Sequence, residues 1–226
     1  MKQRAFDKAI LDYTFLHATR RRANRPPTVP LPVKTNVRQI QGPWSLGYTL
    51  DKHTISSTYI GDDNYGHAIF DTKRTEVGES LYQLKYKSDH SQATVLAEQI
   101  VHSLWHFFPG TSFVLPMPPS KPRALQPVTA IARAVGAKTG VRCLEHLLLK
   151  NTATAQIKDI GARDDRATAL SSAFRVADVL PDGMHDVLLI DDLYDTGSSL
   201  EAATRTLQQY PKIRRVFVTA VTRKHL

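Results

Sequence analysis

Short apolar runs alternate with amphipathic helical patterns over the C-terminal half of the chain. Four runs are typical of short strands, at residues 112–117, 145–149, 187–190 and 216–221. Between them, apolar residues recur every three or four positions, as in the set Leu200, Ala203 and Leu207, which predicts helices. Strands that alternate with helices form parallel sheets with helices on both faces. The pattern therefore predicts an α/β fold.

The stretch before this half is richer in β-forming residues. Residues 54–60 and 67–72 are predicted strands, and the polar segment between them is typical of a turn. Residues 78–89 then lead into a predicted helix with an apolar face over residues 96–108. We therefore expect a small β-rich region in front of the α/β part.

Positive charge is concentrated at the N-terminus. The chain has 226 residues and a net charge of +9. Residues 1–40 hold nine Lys and Arg against Asp7 and Asp12, a net charge of +7, so the rest of the chain is close to neutral. Three segments follow from the pattern: a basic extension with a proline-rich linker (1–42), a β-rich region (43–90) and an α/β domain (91–226).

A cluster of four arginines lies at residues 20–25 of the extension. A nucleic acid or another polyanion is a candidate partner for this cluster, and a solvated run of charge is the alternative. Residues 3–20 carry apolar side chains on one face of a predicted helix. Docking of this helix on the body of the protein, or on a second subunit, is a further alternative.

The composition is that of an ordinary globular protein, with 42% hydrophobic and 23% charged residues. No run of 18 apolar residues occurs, so we expect no membrane span, and the N-terminus lacks the apolar core of a secretory signal. Cys143 is the one cysteine of the chain, which excludes an internal disulfide and a zinc site built from cysteines. A reducing cytoplasm is the expected location.

The most informative segment is 187–199. Its apolar strand is followed by Asp191 and Asp192, then by a small-polar turn around Gly197 and by a helix. Ligands of open α/β sheets bind beyond the carboxyl ends of the strands, and N–H groups at a helix N-terminus bind phosphate. Because adjacent carboxylates accept hydrogen bonds from vicinal hydroxyls, the segment predicts a site for a phosphorylated sugar. No lysine follows the glycine, which excludes a Walker A loop.

This segment resembles the phosphoribosyl-pyrophosphate (PRPP) motif of type I phosphoribosyltransferases, in which two acidic residues and two further residues precede a Thr-Gly loop. The resemblance implies a type I phosphoribosyltransferase fold, PRPP as substrate and Mg²⁺ as cofactor. Asp191 and Asp192 would orient the ribose and favour its developing positive charge. The 5′-phosphate would be bound by the loop residues Asp195, Thr196, Gly197, Ser198 and Ser199.

Three further stretches are similar to the ComF branch of this family, at residues 81–89, 114–118 and 154–174. With the PRPP motif they extend the resemblance over about residues 78–226. The chain differs from ComF proteins in two ways: it lacks their cysteine zinc ribbon, and its segment 120–127 is less basic than theirs.

The resemblance also implies a pyrophosphate loop after Met117, in which Ser120, Lys121 and Arg123 face the leaving group and stabilise its charge. Arg163 and Arg166 fall where type I enzymes have a flexible loop that closes over the site. Solvated surface side chains are the alternative for these cations. Mg²⁺ is expected to reach the site bound to PRPP, without direct protein ligands.

The implied reaction transfers ribose 5-phosphate from PRPP to a nitrogen nucleophile, for example a nucleobase, and releases pyrophosphate. Asp195 matches the proposed base near purine N7 in enzymes that act on 6-oxopurines. Arg223 and Lys224 are the two candidates for a contact to an exocyclic oxygen of such a base. Little sequence follows the strand at 216–221 to build a wall around a base, so the acceptor stays open.

A second hypothesis is a regulatory module that binds PRPP or a nucleotide without turnover and acts on a partner protein or a nucleic acid, as in competence or DNA processing. The basic extension and the missing base-binding wall favour it. A PRPP synthase or a nucleotide hydrolase is a weaker alternative, because ATP-binding elements are not visible. Type I relatives often dimerise, so a homodimer is also expected.

Overall fold

A computed structural model describes residues 34–121, 125–151 and 173–224 of the chain. These residues contain ten strands: β1 (Arg38–Gln39), β2 (Leu46–Lys52), β3 (Thr54–Asp62), β4 (Ala68–Arg74), β5 (Thr111–Pro116), β6 (Arg142–Cys143), β7 (Leu148–Lys150), β8 (Phe174–Val176), β9 (His185–Tyr194) and β10 (Ile213–Arg223). They also contain four α-helices: α1 (Glu76–Tyr86), α2 (Gln92–Leu104), α3 (Pro127–Thr139) and α4 (Ser198–Gln208). A short 3₁₀ turn, Trp105–Phe107, follows α2.

The main sheet has six strands in the order β1-β2-β10-β9-β5-β6. The short edge strand β1 runs antiparallel to β2, and every other neighbouring pair is parallel. The sheet is therefore mostly parallel, as the alternation of strands and helices predicted. The β-rich region (43–90) contributes β2 to this sheet, next to the C-terminal β10.

Alternate side chains of β9 face the two sides of the sheet. Val187 and Leu189 pack in one apolar core with α4, whereas Leu188 and Ile190 pack in a second core with α1, α2 and α3. All four side chains are fully buried, and each contributes about 1.5–3 kcal/mol by leaving water. Helices therefore cover both faces of the sheet, which confirms the α/β prediction.

Two pairs of strands lie outside the main sheet. The strands predicted at 54–60 and 67–72 are confirmed as β3 and β4, which pair antiparallel with each other in a hairpin. The strand expected at 145–149 begins only at Leu148, and β7 pairs antiparallel with β8 rather than with the main sheet. This difference arises because a short apolar run specifies burial but not the partner strand.

The segment 78–89 differs from its prediction, since most of it belongs to a helix, α1, instead of only leading into one. The hydroxyl oxygen of Thr75 accepts a hydrogen bond from the backbone N–H of Gly78 at 2.9 Å and caps the helix. Val77, Leu81 and Leu84 form its buried face. Because α1 has few apolar positions in a mostly polar sequence, its amphipathic pattern is weak and predicts the helix poorly.

In the part of the chain that the structure describes, each helix is too short or too polar to cross a lipid bilayer.

Candidate active site

Asp191 and Asp192 lie in the last part of β9, at the carboxyl edge of the main sheet. Because β9 continues to Tyr194, the two carboxylates belong to the strand and point to its opposite faces. The backbone N–H of Asp192 donates to Oδ1 of Asp191 at 2.8 Å. The hydroxyl of Thr222 on β10 donates to the carbonyl oxygen of Asp192 at 3.0 Å. These bonds hold the acidic pair where ligands of parallel sheets bind.

A lysine from a distant helix meets this pair. The ammonium of Lys85, in the last turn of α1, lies 2.6 Å from Oδ2 of Asp192. The two side chains are 18% and 23% exposed, so the ion pair is largely shielded from water. An opposite charge at this distance favours the ionised form of a carboxylate.

Burial raises the pKa of the Asp191 carboxyl above its ordinary value, and the charge of Asp192 raises this pKa further. The backbone hydrogen bond from Asp192 and the positive charge of Lys85 both act to lower it. Two carboxylates this close are costly to keep ionised without a cation or hydroxyl donor. The pair is therefore suited to a ligand that brings such groups.

The turn after β9 leads directly into α4. Gly197 has a φ of 82°, and a Cβ at this position would come within 3.0 Å of the Tyr194 ring, so only glycine fits without strain. The hydroxyls of Thr196 and Ser198 lie 3.0 Å apart and exposed. Oδ2 of Asp195 lies 3.5 Å from the ammonium of Lys224. The turn thus presents hydroxyls and a helix N-terminus, a combination that suits phosphate.

A cavity of about 390 Å³ opens at this edge of the sheet. Five of the residues predicted from the sequence line it: Ser120, Lys121, Asp191, Asp192 and Ser199. Asp195, Thr196, Gly197 and Ser198 are not among its lining residues, although they precede Ser199 directly. The structure thus brings the acidic pair, the end of the phosphate turn and the predicted pyrophosphate loop together.

Two further lysines line the same cavity, Lys85 and Lys150. The ammonium of Lys150, at the end of β7, donates to the hydroxyl oxygen of Ser120 at 3.2 Å. With Lys121, three lysines from three separate parts of the chain surround a space that also contains two carboxylates. Lys85 lies in a stretch that resembles ComF proteins, but nothing in the sequence predicted a role for it in the site. Nothing in the sequence pointed to Lys150.

Other predicted residues have different outcomes. Arg123, Arg163 and Arg166 lie outside the described residues. Of the two candidates for a base contact, Arg223 does not fit that role, because its side chain is fully buried. Its Nη1 donates to the carbonyl oxygen of Asn36 at 2.8 Å and to the hydroxyl of Thr49 at 3.0 Å. Arg223 therefore joins β10 to β2 and to the chain before β1.

The donors present fit a hard cation that arrives with a phosphorylated ligand. Two adjacent carboxylates offer oxygen ligands of the kind that Mg²⁺ prefers, and Mg²⁺ commonly keeps waters and substrate phosphates in its remaining positions. Within the described residues, no group of three or more His, Cys, Asp or Glu side chains is placed to hold a metal ion.

No protein-family model matches the chain, and no curated protein sequence matches it. Solved structures that are similar to it include an adenine phosphoribosyltransferase from Saccharomyces cerevisiae in complex with adenine, with 14% identity over 74% of this chain and 85% of that one, at a TM-score of 0.41. A hypoxanthine phosphoribosyltransferase from Staphylococcus aureus has 13% identity over 60% and 65% of the two chains, at a TM-score of 0.37. An adenine phosphoribosyltransferase from Leishmania tarentolae has 8% identity over 83% and 94%, at a TM-score of 0.39. At these identities and scores, function has to be inferred from the residues of the site.

Proposed function

We propose that the protein transfers the ribose 5-phosphate group of PRPP to a nitrogen nucleophile, with release of pyrophosphate. One observation carries this proposal: the adjacent carboxylates of β9, the end of a phosphate turn and three lysines line one cavity. A sugar that carries a phosphate at one end and a diphosphate at the other matches this distribution of charge. The ComF-like character of the chain and its cytoplasmic location belong to the same proposal.

The carboxylates act on the sugar in this mechanism. Asp191 and Asp192 accept hydrogen bonds from the ribose hydroxyls and hold the ring at the edge of the sheet. As the bond from C1 to the pyrophosphate oxygen breaks, positive charge develops on the sugar, and the two carboxylates stabilise it. The nitrogen nucleophile then bonds to C1 and loses its proton. Asp195 is the proposed acceptor of that proton.

The lysines act on the leaving group. Lys121 and Lys150 flank Ser120, so their charges fall on the side of the cavity assigned to pyrophosphate. Point charges fixed before the reaction stabilise the leaving oxygens as their charge increases. Mg²⁺ that arrives bound to PRPP would supply further positive charge for the leaving group, and Asp191 and Asp192 are the residues that would hold it near the site without direct coordination.

A calorimetric titration of PRPP with Mg²⁺ tests the site. We expect micromolar binding to the wild type and at least roughly tenfold weaker binding to the double variant Asp191→Asn/Asp192→Asn, since each lost charged hydrogen bond costs about 1.5–3 kcal/mol. The chain offers a matched control in Asp62→Asn/Asp63→Asn, a second adjacent pair that lies at the hairpin and does not line the cavity. The control should bind PRPP as the wild type does.

Pyrophosphate release then separates the two functional hypotheses. The wild type would be assayed with PRPP, Mg²⁺ and a panel of bases that includes adenine, hypoxanthine, uracil and orotate. Release that depends on one base and on Asp191 supports the transferase. Tight binding without release for every base would favour the regulatory module instead. Equal binding by the wild type and the Asp191→Asn/Asp192→Asn variant would overturn both.

A further inference from the structure

Arg74, the last residue of β4, has a hydrogen-bond donor without a partner. Its guanidinium stacks on the ring of Tyr82, 3.8 Å from the ring centroid, and its Nη1 donates to Oε2 of Glu79 at 3.4 Å. Nε is buried and has no hydrogen-bond partner within the described residues. Because a buried donor without a partner costs free energy, a ligand that accepts a hydrogen bond from Nε is favoured at this place.

The edge of the guanidinium that contains Nε is suited to one kind of ligand. Nε and Nη2 lie side by side in the plane of an arginine side chain, and this fork binds a carboxylate through two parallel hydrogen bonds. Glu79 accepts its hydrogen bond from Nη1, so it does not use the fork. The stacking on Tyr82 holds the plane of the guanidinium in place. Arg74 therefore presents a preorganised fork for a carboxylate.

His53 adds a second unpartnered nitrogen beside this guanidinium. It directly follows β2 and precedes Thr54, whose partner across the hairpin is Arg74. The backbone N–H of His53 donates to the carbonyl oxygen of Arg223 at 2.8 Å, which ties the residue to the end of β10. Its Nδ1 is buried, and no described residue forms a hydrogen bond with it.

Two cations act on His53 more strongly than two carboxylates do. Burial lowers the pKa of the imidazole most, and the charges of Arg74 and Lys85 lower it further. The charges of Asp192 and Glu79 raise this pKa, but both carboxylates already lie against a cation. A further anion beside His53 would favour the protonated imidazole, in which Nδ1 is a donor. The surroundings of His53 are therefore complementary to a negative group.

Helix α1 connects this place to the proposed ribose site. The helix begins against the end of β2, and its last turn brings Lys85 to Asp192. Tyr82, on which the Arg74 guanidinium stacks, lies three residues before Lys85, so both side chains project from the same side of the helix. The guanidinium therefore lies about one helical turn from the ion pair at the end of β9.

The order of the strands places Arg74 and His53 on the side from which an acceptor enters. The acidic pair belongs to β9, with β5 and the proposed pyrophosphate loop on one side and β10 and β2 on the other. In a single displacement the nucleophile bonds to the sugar on the face opposite the departing oxygen. With pyrophosphate on the β5 side, the acceptor lies toward β2, two strand spacings or about 10 Å from β9.

We propose that Arg74 and His53 bind a carboxylate of the acceptor, so that the nitrogen nucleophile is a heterocycle that carries a carboxylate. This inference rests on the proposed phosphoribosyl transfer and names the class of its acceptor. Nε and Nη2 of Arg74 donate to the two carboxylate oxygens, and Nδ1 of His53 donates to one of them. A neutral base leaves the fork unfilled, so both residues determine specificity.

Two matched pairs of bases test the proposal. Orotate differs from uracil only by its carboxylate, and nicotinate has a carboxylate where nicotinamide has an amide. Initial rates of pyrophosphate release with PRPP, Mg²⁺ and each base give kcat and KM. We expect the wild type to use a carboxylated base in preference to its neutral partner.

Replacement of Arg74 by methionine removes the fork and keeps an apolar stem over Tyr82. This variant should raise the KM for the carboxylated base by roughly ten- to hundredfold, as expected for a lost charged hydrogen bond. The kcat should change little, because the carboxylate is bound equally before and during the reaction. Arg74→Lys keeps the charge without the fork and should recover only part of the affinity.

Lys73→Met is the matched control, since it removes an exposed cation from the neighbouring position of β4. It should keep the wild-type KM for every base. Calorimetry with PRPP and Mg²⁺ should give the wild-type affinity for Arg74→Met, Arg74→Lys and Lys73→Met, which shows that each variant is folded.

The outcomes separate this proposal from the one on which it rests. The carboxylate site would be overturned, and the PRPP site would stand, if the wild type bound PRPP but preferred the neutral bases or released no pyrophosphate with orotate or nicotinate. A KM for the carboxylated base that Arg74→Met left unchanged would have the same meaning. A wild type that does not bind PRPP would overturn the proposed function and this inference together.

Discussion

At the scale of single residues, the site is a balance of opposite charges in a partly buried space. Asp192 has its cation in Lys85, 2.6 Å away, whereas the raised pKa of Asp191 shows that its carboxylate is poorly compensated. An incoming sugar with hydroxyl donors, accompanied by a cation, would supply what Asp191 lacks. The residue pattern of the cavity therefore favours a ligand of the proposed kind.

Replacement of Lys85 by methionine tests its part in this balance. Lys85 lowers the pKa of Asp191, so its loss should raise that pKa further and should move the pH midpoint of PRPP binding upward. Affinity at neutral pH should fall roughly tenfold, as expected for a lost charged contact. Isothermal titration from about pH 5 to about pH 9 measures both effects.

Two further variants separate electrostatics from packing. Lys87→Met removes an exposed lysine just beyond the same helix and should leave the midpoint unchanged, and Lys85→Arg should restore most of the affinity. If Lys85→Met only lowered the melting temperature and the midpoint stayed in place, Lys85 would have a structural role alone.

At the scale of elements, the sequence predicted what depends on local pattern and missed what depends on distant contacts. The apolar run before Asp191 was sufficient to predict β9 and the acidic pair at the edge of the sheet, because a buried strand has a local signature. The contact between Lys85 and Asp192 requires α1 to pack beside β9. No local sequence pattern relates two residues this far apart in the chain. The partner of β7 was missed for the same reason.

β9 itself carries two aspartates whose protonation has opposite effects on stability. Asp186, at its start, is fully buried and accepts hydrogen bonds from Arg214 at 2.9 Å and 2.6 Å and from Arg215 at 2.5 Å. The two guanidinium groups hold the pKa of Asp186 far below its ordinary value. At the other end of the strand, burial raises the pKa of Asp191.

We therefore expect opposite pH profiles for Asp186→Asn and Asp191→Asn. A lowered pKa in the folded state stabilises the fold above the ordinary pKa of aspartate, about 3.9, and this stabilisation is lost in acid. Asp186→Asn should cost about 2 kcal/mol near neutral pH, or roughly 4–8 °C in melting temperature, and much less in acid. A raised pKa destabilises the fold as pH rises through it, so Asp191→Asn should raise the melting temperature most at alkaline pH.

Thermal unfolding at about pH 3, 5 and 8 measures both profiles. Asp182→Asn is a suitable control, since that side chain is fully exposed. If the melting temperatures of Asp186→Asn and Asp191→Asn differed from that of the wild type by the same amount at every pH, this account of the strand would be contradicted.

At the scale of the whole molecule, charge is divided between the chain that carries the site and the extension before it. Residues 1–40 hold a net charge of +7 out of +9, whereas the cavity combines three lysines with two aspartates. Composition alone predicted this division, because charge is counted along the sequence. The geometry of the cavity was not predictable in the same way, since it requires α1, β7, β9 and the loop after β5 to come together.

The division of charge predicts that polyanion binding and PRPP binding are separable. A variant with Arg20, Arg21, Arg22 and Arg25 replaced by serine should bind a single-stranded oligonucleotide more weakly than the wild type does. If all four arginines contact phosphates, the slope of log K against log salt should become less steep by about 3, since each contact to a single strand contributes about 0.7. PRPP affinity should not change, because the charges that we assign to PRPP binding are those of Lys85, Lys121, Lys150 and the two aspartates of β9. Fluorescence anisotropy at several salt concentrations measures the slope, and calorimetry measures PRPP binding on the same samples. An unchanged slope would assign the arginine cluster to a solvated run of charge, and a parallel loss of PRPP binding would mean that the extension and the site act together.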